Sequence, residues 1–364
     1  MANPPIYIEM IPQDIINEMV AEYNTLTGNT LQPAQVEMLL LKTWAYRESL
    51  LRGQFQSAAL QNLISFSTEP VIDYLGELVG AIRLTAANAL VTIKFTTTTG
   101  SVTIPSGTRV ASVDGAAVFK TEQDLVFGVG VTEMEAICSS ITAGTAFNGY
   151  AIGEITNILD PQAFLSAATN VDVSAGGAER ESDDEYRERI RLAPAAFGTA
   201  GSRNAYKYWA KTANPLIIDV GVRRPVPGTV EIFPLLEDGS VTPALILTQV
   251  YDTCNDDDVR PLTDTVQVTA PTQVVWAISP EIVIYEWADP TDTAAACEAA
   301  LEAYALAKRQ SMGQDILEDQ LTAAGMVDGV YSINFPGFVD IIIDNDEYAY
   351  NNGVSVTVTG TNEG

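Results

Sequence analysis

The chain has 364 residues, of which 47% are hydrophobic and 18% are charged, a composition typical of a folded protein of two or three domains. It contains no histidine, which excludes a Ser-His-Asp triad, a Cys-His pair and any histidine-ligated metal centre. The 47 acidic and 19 basic residues give a net charge of −28 at pH 7. So negative a chain is repelled by polyanions, which disfavours duplex DNA or an anionic membrane as its main partner.

No residues form a convincing cofactor or metal site. The cysteines Cys138, Cys254 and Cys297 are far apart and form no CxxC pair, so we expect buried free thiols. Gly128-Val129-Gly130 lacks the third glycine of a dinucleotide fingerprint. The acidic run Asp256–Asp258 lacks the spacing of a calcium loop. We also find no signal-peptide pattern and no apolar run long enough to cross a membrane.

Residues 1–90 are predicted to form a helical region. Apolar residues recur at helical spacing before Gly28, which ends a first helix, and Pro33 suits the first turn of a second. A third helix is expected over about 56–66 and a fourth after Pro70. The N-terminal region is therefore expected to be an all-helical arm.

The second helix has an unusually wide apolar stripe. Its principal positions are Val36, Leu40, Trp44 and Leu51. Because Met38, Leu41, Tyr46 and Leu50 extend the stripe beyond one face, the helix needs cover on more than one side. Two interpretations remain open, a local helical bundle and docking against helices of another chain.

After residue 90 the pattern becomes mixed α and β, and the predicted fold class is multidomain α+β. Residues 91–168 are predicted to form a small β-rich domain, with a hairpin over 91–104. Residues 169–270 are predicted to form a central α+β domain, in which a helix begins at a Ser182–Glu185 capping box and stops before Pro194. Residues 271–364 are predicted to form a C-terminal α+β domain that includes a strand over 339–343.

The charges are unevenly distributed along the chain. Residues 252–364 hold 20 acidic and 3 basic residues, whereas a basic island between Arg187 and Arg224 holds eight basic residues against two acidic ones. The island comprises Arg187, Arg189, Arg191, Arg203, Lys207, Lys211, Arg223 and Arg224. One interpretation is that the island binds an acidic protein surface through Arg187, Arg191, Lys207 or Lys211. The other is that its residues form local ion pairs with nearby glutamates. Nucleic-acid binding is disfavoured by the overall charge.

A series of short motifs resembles one known family. The first is Val102–Thr108 followed by Phe119. The others are Gly80–Ala87 with Arg83, Ala143–Asn148, Gly176-Gly177 with Glu181–Asp183 and Arg187–Arg189, Pro227–Val230, Arg260–Asp264, Gly313–Ile316, Gly329–Tyr331 and Phe335-Pro336. In order and spacing over about residues 70–340, these resemble the baseplate J family, the wedge proteins of contractile phage tails and related injection machines.

The resemblance implies a structural role without catalysis, cofactor or metal. Family members form a ring around the central spike hub that rearranges when the sheath contracts. The implied partners are other copies of the chain, a sheath-initiating wedge protein with a lysozyme-like fold and a tail-fibre-connecting wedge protein, and the hub is a further candidate. The implied location is the virion tail baseplate, after synthesis and assembly in the host cytoplasm, and residues 1–90 would be the wedge-interaction region.

Two other classes of protein remain as alternatives. A glycosidase that uses two carboxylates needs no histidine, and a glycan-acting protein would suit a particle that meets a cell surface. A monomeric adhesin or carrier is the second alternative.

Overall fold

The computed structural model describes residues 3–198, 201–237 and 239–363. It forms two compact units, one made of Met1–Arg83 with Tyr186–Ile190, the other of Leu84–Glu185 with Arg191–Gly364. Each unit has its own hydrophobic cores. Helices and strands occur in several separate sheets, so the expected multidomain α+β fold is confirmed.

The first unit contains helices α1 (Pro12–Thr27), α2 (Val36–Gln61) and α3 (Val71–Glu77). Gly28 ends α1 in the left-handed conformation, with φ 70°, and its N–H donates to Asn24 O at 3.0 Å. Helix α2 is continuous for 26 residues, so the prediction of a separate helix over 56–66 is wrong. A single glycine, Gly53, is tolerated inside a helix, and no proline interrupts this stretch.

A buried cluster joins the end of this unit to part of helix α4 (Asp183–Ala196). Tyr186 is fully buried, and its hydroxyl donates to Ala81 O at 2.7 Å. The Arg83 guanidinium lies 4.7 Å from the centroid of the Tyr186 ring, and its Nε donates to the Asp73 carboxylate at 2.8 Å. The buried cation is thus paired with both a carboxylate and an aromatic face.

The second unit begins with a six-stranded sheet of order β7-β3-β4-β6-β1-β8. Its strands are β1 (Asn88–Thr97), β3 (Arg109–Ser112), β4 (Val118–Thr121), β6 (Glu133–Ala143), β7 (Ile155–Ile158) and β8 (Leu165–Asn170). The short strands β2 (Thr103–Ile104) and β5 (Leu125–Val126) pair separately. The predicted hairpin over 91–104 is wrong because β1 pairs with β6 and β8; period-two alternation identifies a strand but not its partner.

The sheet curls into a nearly closed barrel, and the fully buried Asn170 bridges its two edge strands, β7 and β8. Its Oδ1 accepts from Gly153 N at 3.0 Å and from Ile155 N at 2.9 Å. Its Nδ2 donates to Ala151 O and Asp172 O, both at 2.8 Å. One amide side chain therefore satisfies the backbone groups that a ladder would otherwise pair.

A three-stranded sheet of order β11-β10-β9 follows, packed against helices. Its elements are α5 (Arg203–Ala213), β9 (Ile217–Arg223), β10 (Thr229–Leu236), α6 (Ala244–Cys254) and β11 (Thr265–Val268). Strand β10 is antiparallel to β9 and parallel to β11. Val220, Ile232 and Ile246 are fully buried in the core between sheet and helices.

Helix α4 begins as predicted and ends later than predicted. Ser182 Oγ accepts from Glu185 N at 3.3 Å and the Glu185 carboxylate accepts from Ser182 N at 2.8 Å, which confirms the capping box. The helix continues through Pro194 to Ala196, so the predicted stop is wrong. Proline has no backbone N–H, so it removes one hydrogen bond of the helix. Near the end of a helix this loss is tolerated, because few further turns depend on it.

The C-terminal part contains β12 (Thr272–Ile278), β13 (Glu281–Tyr285), α7 (Pro290–Arg309), α8 (Glu318–Gly325), β14 (Val330–Asn334), β15 (Glu347–Val354) and β16 (Thr357–Asn362). Strands β12 and β15 form a two-stranded parallel sheet, and a second sheet has the order β14-β13-β16. The predicted strand over 339–343 is wrong, since only Ile341 makes an isolated bridge, with Ile316.

Candidate partner-binding surfaces

The buried side of α2 packs against α1. Ile15 and Ile16 of α1 meet Ala45 of α2 in a small core. Further along α2, the buried Gln56 accepts from Tyr7 N at 2.8 Å and donates to Pro5 O at 2.6 Å. These hydrogen bonds hold the extended segment before α1 against the same side of α2.

The opposite side of α2 is apolar and exposed. Leu40 is 56% exposed and Trp44 is 64% exposed. At 3.6 residues per turn, the four predicted positions fall within an arc of about 80°, on the side opposite Ala45. The exposed set comprises Val36, Leu39, Leu40, Trp44, Tyr46, Leu50, Leu51 and Phe55, and we call it the α2 apolar face.

The α2 apolar face extends one turn beyond the predicted stripe, because Phe55 is also exposed. The sequence prediction missed Phe55 because it ended the second helix too early. Its spacing of four residues from Leu51 was the available signal. Isolated exposed apolar residues are normal on protein surfaces, whereas a large apolar patch is typical of an interaction site. The exposed Arg47 also lies within the arc of the four predicted positions, and the assignment of this face to a partner stays a prediction.

Two members of the basic island serve the first unit instead of facing solvent. Arg187 donates through Nε to Ile64 O at 2.7 Å and through Nη2 to Ser67 O at 2.9 Å. Arg189 is buried and donates to Ile82 O at 2.6 Å. Both guanidinium groups therefore satisfy carbonyls of the chain segment that follows α2.

The remaining island residues lie in the second unit, and several have acidic neighbours. Lys207 Nζ lies 3.6 Å from an Asp219 carboxylate oxygen, with about a quarter of each side chain exposed. Arg223 pairs with Glu231 at 2.8 Å and with Asp346 at 2.6 Å. Further members, Arg191, Arg203 and Arg224, are exposed. The island thus contains both exposed residues and residues with acidic neighbours, and the interpretation that it binds an acidic protein surface stays a prediction.

The acidic runs are built into turns. Asp256 accepts from Asp258 N at 2.8 Å, and Asp257 pairs with Arg260 at 3.1 Å. Across the described ranges, no three histidine, cysteine or acidic side chains are grouped as a metal would require. No helix in those ranges is both long enough and apolar enough to span a membrane.

A pocket of about 290 Å³ gathers three carboxylates, those of Glu179, Glu185 and Glu237. Glu179 accepts from Thr145 N at 3.1 Å, and Glu185 belongs to the helix cap. The residues that line this pocket include no aromatic side chain on which a sugar ring could stack. Two of the three carboxylates therefore hold backbone groups, and the pocket lacks the aromatic surface expected of a glycan cleft.

The three cysteines are free and buried, as predicted. Burial raises the pKa of Cys138 and of Cys254 to about 12, and it also raises the pKa of Cys297. At neutral pH the thiols are therefore protonated and unreactive.

Two segments of the second unit match domain families. Residues 92–177, which contain most of the barrel, match the Baseplate J-like protein barrel domain. Residues 198–270, which contain the three-stranded sheet with α5 and α6, match the Baseplate J-like central domain. A barrel domain followed by this central domain defines the class of protein. These two matches support membership of the baseplate J family, which the sequence motifs indicated.

The chain is similar to baseplate protein J of Escherichia phage P2, with 31% identity over 188 residues. The aligned region covers 51% of this chain and 62% of the phage P2 protein, so the chain spans under two thirds of that relative's length. A structural comparison matches 93% of this chain to 90% of a chain in a cryo-EM structure of the anti-feeding prophage baseplate, with a TM-score of 0.41 and 14% identity.

Proposed function

We propose that this protein is a structural component of the baseplate of a contractile phage tail or of a related particle such as a tailocin. The observation that carries the proposal is the pair of family domains, in the order barrel then central domain, over residues 92–177 and 198–270. The similarity to baseplate protein J of phage P2 supports the same role. The protein would reside in the virion tail baseplate, after synthesis and assembly in the host cytoplasm.

Within that role, the N-terminal helical region, residues 1–90, is proposed as the arm that binds other wedge proteins. The α2 apolar face supports this, because it exposes eight large apolar side chains opposite the buried side of the helix. Helices of a partner that pack on this face would form a helical bundle with α1 and α2. Its central anchors would be Leu40 and Trp44, since large buried side chains near the centre of an interface carry most of its binding energy.

The finer assignments follow from the family resemblance. The proposed partners are further copies in a ring around the spike hub, a sheath-initiating wedge protein and a tail-fibre-connecting wedge protein. Rearrangement of the ring on sheath contraction is part of the proposal. Contacts that combine charged groups with a limited apolar area can re-form in a second arrangement without unfolding either chain.

Electron microscopy of the parent particle tests the role directly. A small tag at the exposed turn Asp114-Gly115, in a different unit from α2, should appear as repeated density around the baseplate. Particles made without this chain should lack an assembled baseplate. Density on tail fibres, or on the host-facing tip alone, would instead indicate an adhesin and would contradict the proposal.

A carboxylate glycosidase is the alternative from a different class. Its test is an assay of the purified chain on peptidoglycan and on capsule, with Glu179→Gln and Glu237→Gln as variants of the pocket that gathers carboxylates. Turnover that both variants abolish would favour the glycosidase. Since Glu179 holds a backbone group of the barrel and the pocket has no aromatic lining, we expect no turnover.

A further inference from the structure

Strand β12 has one edge that is not covered by another strand. Within the described residues it pairs only with β15, in parallel. Thr272 N donates to Asp346 O at 2.9 Å, and Ile278 O accepts from Ser355 N at 3.2 Å, so the even-numbered residues of β12 hold β15. Along a strand, successive residues direct their backbone groups to opposite neighbours. The odd-numbered residues therefore present their N–H and C=O groups to the open edge.

Three residues, Gln273, Val275 and Ala277, form this edge, and all three are exposed. Val275, at the centre, is 58% exposed. Proteins usually protect an edge strand with a charge, a proline or a bulge that turns it away. Between Thr272 and Ile278 there is no charged residue and no proline, and the irregularity in the ladder lies toward β15. The open edge is thus competent to pair.

The charge distribution indicates which partner fits. No charged residue lies between Asp264 and Glu281, although the chain as a whole carries −28. Two copies repel each other over most of their surfaces, and an uncharged strand is a place where they can meet without opposing like charges. A basic partner would gain no ion pair here, because the strand carries no carboxylate. The lack of charge therefore favours a second copy of this chain.

A groove adjoins the edge. It has a volume of about 300 Å³ and lies between the last residues of β12 and residues 335–341, with Phe335 and Phe338 in its wall. On its rim, Val339 is 76% exposed. Pairing at this edge would therefore remove apolar surface from water as well as satisfy backbone groups.

We propose that β12 pairs antiparallel with β12 of a second copy, about a twofold axis at Val275. Val275 then faces Val275 of the second copy, and Gln273 faces Ala277. These pairs would exchange about six backbone hydrogen bonds, two for each facing pair. The two-stranded sheets of the two copies would become one sheet of order β15-β12-β12-β15. The contact is self-complementary, as a twofold interface requires.

Cysteine cross-linking tests the pairing and its register in the full chain. Residues that face each other in such a pair have Cα atoms about 5.5 Å apart, within the range of a disulfide. Val275→Cys should therefore form disulfide-linked dimers on mild oxidation, and the buried native thiols should not interfere. Val113→Cys, in the barrel and similarly exposed, is the matched control and should remain monomeric.

The register has its own test. A mixture of Gln273→Cys and Ala277→Cys chains should give mixed dimers, whereas each variant alone should cross-link much less. If Val275→Cys links no better than Val113→Cys, or if the mixture links no better than its components, the proposal is wrong.

Val275→Pro removes a donor that the β15 ladder does not use. It should abolish reversible dimers in sedimentation while leaving the melting temperature nearly unchanged, and persistence of the dimers would also contradict the proposal.

The salt dependence of dimerisation distinguishes this contact from one based on the basic island. Because the pairing is uncharged and the chains repel each other, added salt should strengthen the dimer. Weakening by salt would overturn the proposal. The inference does not depend on the baseplate role: loss of cross-linking would leave that role intact, and absence of the protein from baseplates would leave the dimer intact.

Discussion

The hydroxyl oxygen of Tyr186 lies against Gly76 so closely that a Cβ at position 76 would come within 2.0 Å of it. Gly76 is in α3, and Tyr186 comes from a distant part of the sequence. The same hydroxyl donates to Ala81 O, so it cannot move away without losing that hydrogen bond. A small residue at position 76 is thus a condition for burying Tyr186 with Arg83 above its ring.

Gly76→Ala should destabilise the first unit by about 1–3 kcal/mol, since an added methyl group in a packed site forces its neighbours apart. The matched control is Gly53→Ala in the interior of α2, where an added Cβ would meet nothing within 4 Å. The control should stabilise the unit by about 0.5–1 kcal/mol, because alanine favours a helix more than glycine does. Denaturant melts followed by circular dichroism give both values. Equal melting of Gly76→Ala and wild type would contradict the close approach.

Asn170 should be among the most sensitive positions of the barrel. Asn170→Ala leaves the buried Ile155 N without its acceptor, at a cost of about 1–3 kcal/mol unless water enters, and also removes the part-buried bonds to Gly153 N, Ala151 O and Asp172 O. Asn157→Ala, at an exposed position on the neighbouring strand β7, is the control and should change stability by less than about 0.5 kcal/mol. Hydrogen exchange should also show faster opening between β7 and β8 in Asn170→Ala. Equal effects of the two variants would mean that Asn170 does not bridge the barrel.

The double substitution Leu40→Gln with Trp44→Gln should block assembly into the wedge. Both side chains are exposed in the chain itself, so folding should be nearly unaffected while an apolar contact with another chain is lost. Val113→Gln with Leu262→Gln, at exposed apolar positions of the other unit, is the control pair and should assemble normally. Pull-down with co-expressed wedge proteins measures the effect. Normal assembly of the Leu40 and Trp44 variant would exclude the α2 apolar face as the docking site.

Sequence reasoning was most reliable where a local pattern determines the element. The Ser182 capping box, the glycine that ends α1 and the alternation along β1 each rest on neighbouring residues, and each appears in the structure. Pairing depends on residues far apart in sequence, which explains the wrong hairpin over 91–104. Strand β15 was missed because Asn351 and Gly353 are typical of turns, although here they lie in a strand with an irregular register.

The candidate surfaces were predicted unevenly for a similar reason. The helical spacing of Leu40 and Trp44 located the stripe, but only the three-dimensional fold shows which side of α2 is buried. Charge counting grouped Arg187 with Lys207 because they are near each other in sequence. The structure assigns Arg187 to backbone carbonyls of the first unit and places Lys207 beside Asp219 in the second. Sequence proximity of like charges therefore grouped residues that have different partners.

The cysteines should be inert in the folded protein. Since burial raises the pKa of Cys138 and Cys254 to about 12, almost no thiolate exists at pH 8, and the sulfur atoms are inaccessible. An aromatic disulfide reagent should therefore label none of the three thiols in buffer and all three in denaturant. Rapid labelling of the native protein would show that at least one thiol is exposed.

Charge reversal at Lys207 and Lys211 decides what the basic island does. Lys207 lies near Asp219 at 3.6 Å, and an ion pair of this kind contributes at most about 1 kcal/mol. If the island only forms local pairs, Lys207→Glu with Lys211→Glu should lower stability slightly and leave assembly unchanged. If it receives an acidic surface of another chain, the same substitutions should weaken wedge binding strongly and abolish its decrease with salt, because the attraction that salt screens has been reversed.

Lys120→Glu in the barrel, a half-exposed lysine outside the island, is the control and should bind as wild type does. A neutral pair, Lys207→Met with Lys211→Met, should fall between wild type and the reversed variant, since it removes the attraction without adding repulsion. Binding and salt dependence that remain the same in all four proteins would show that the island is a solvated surface with local pairs.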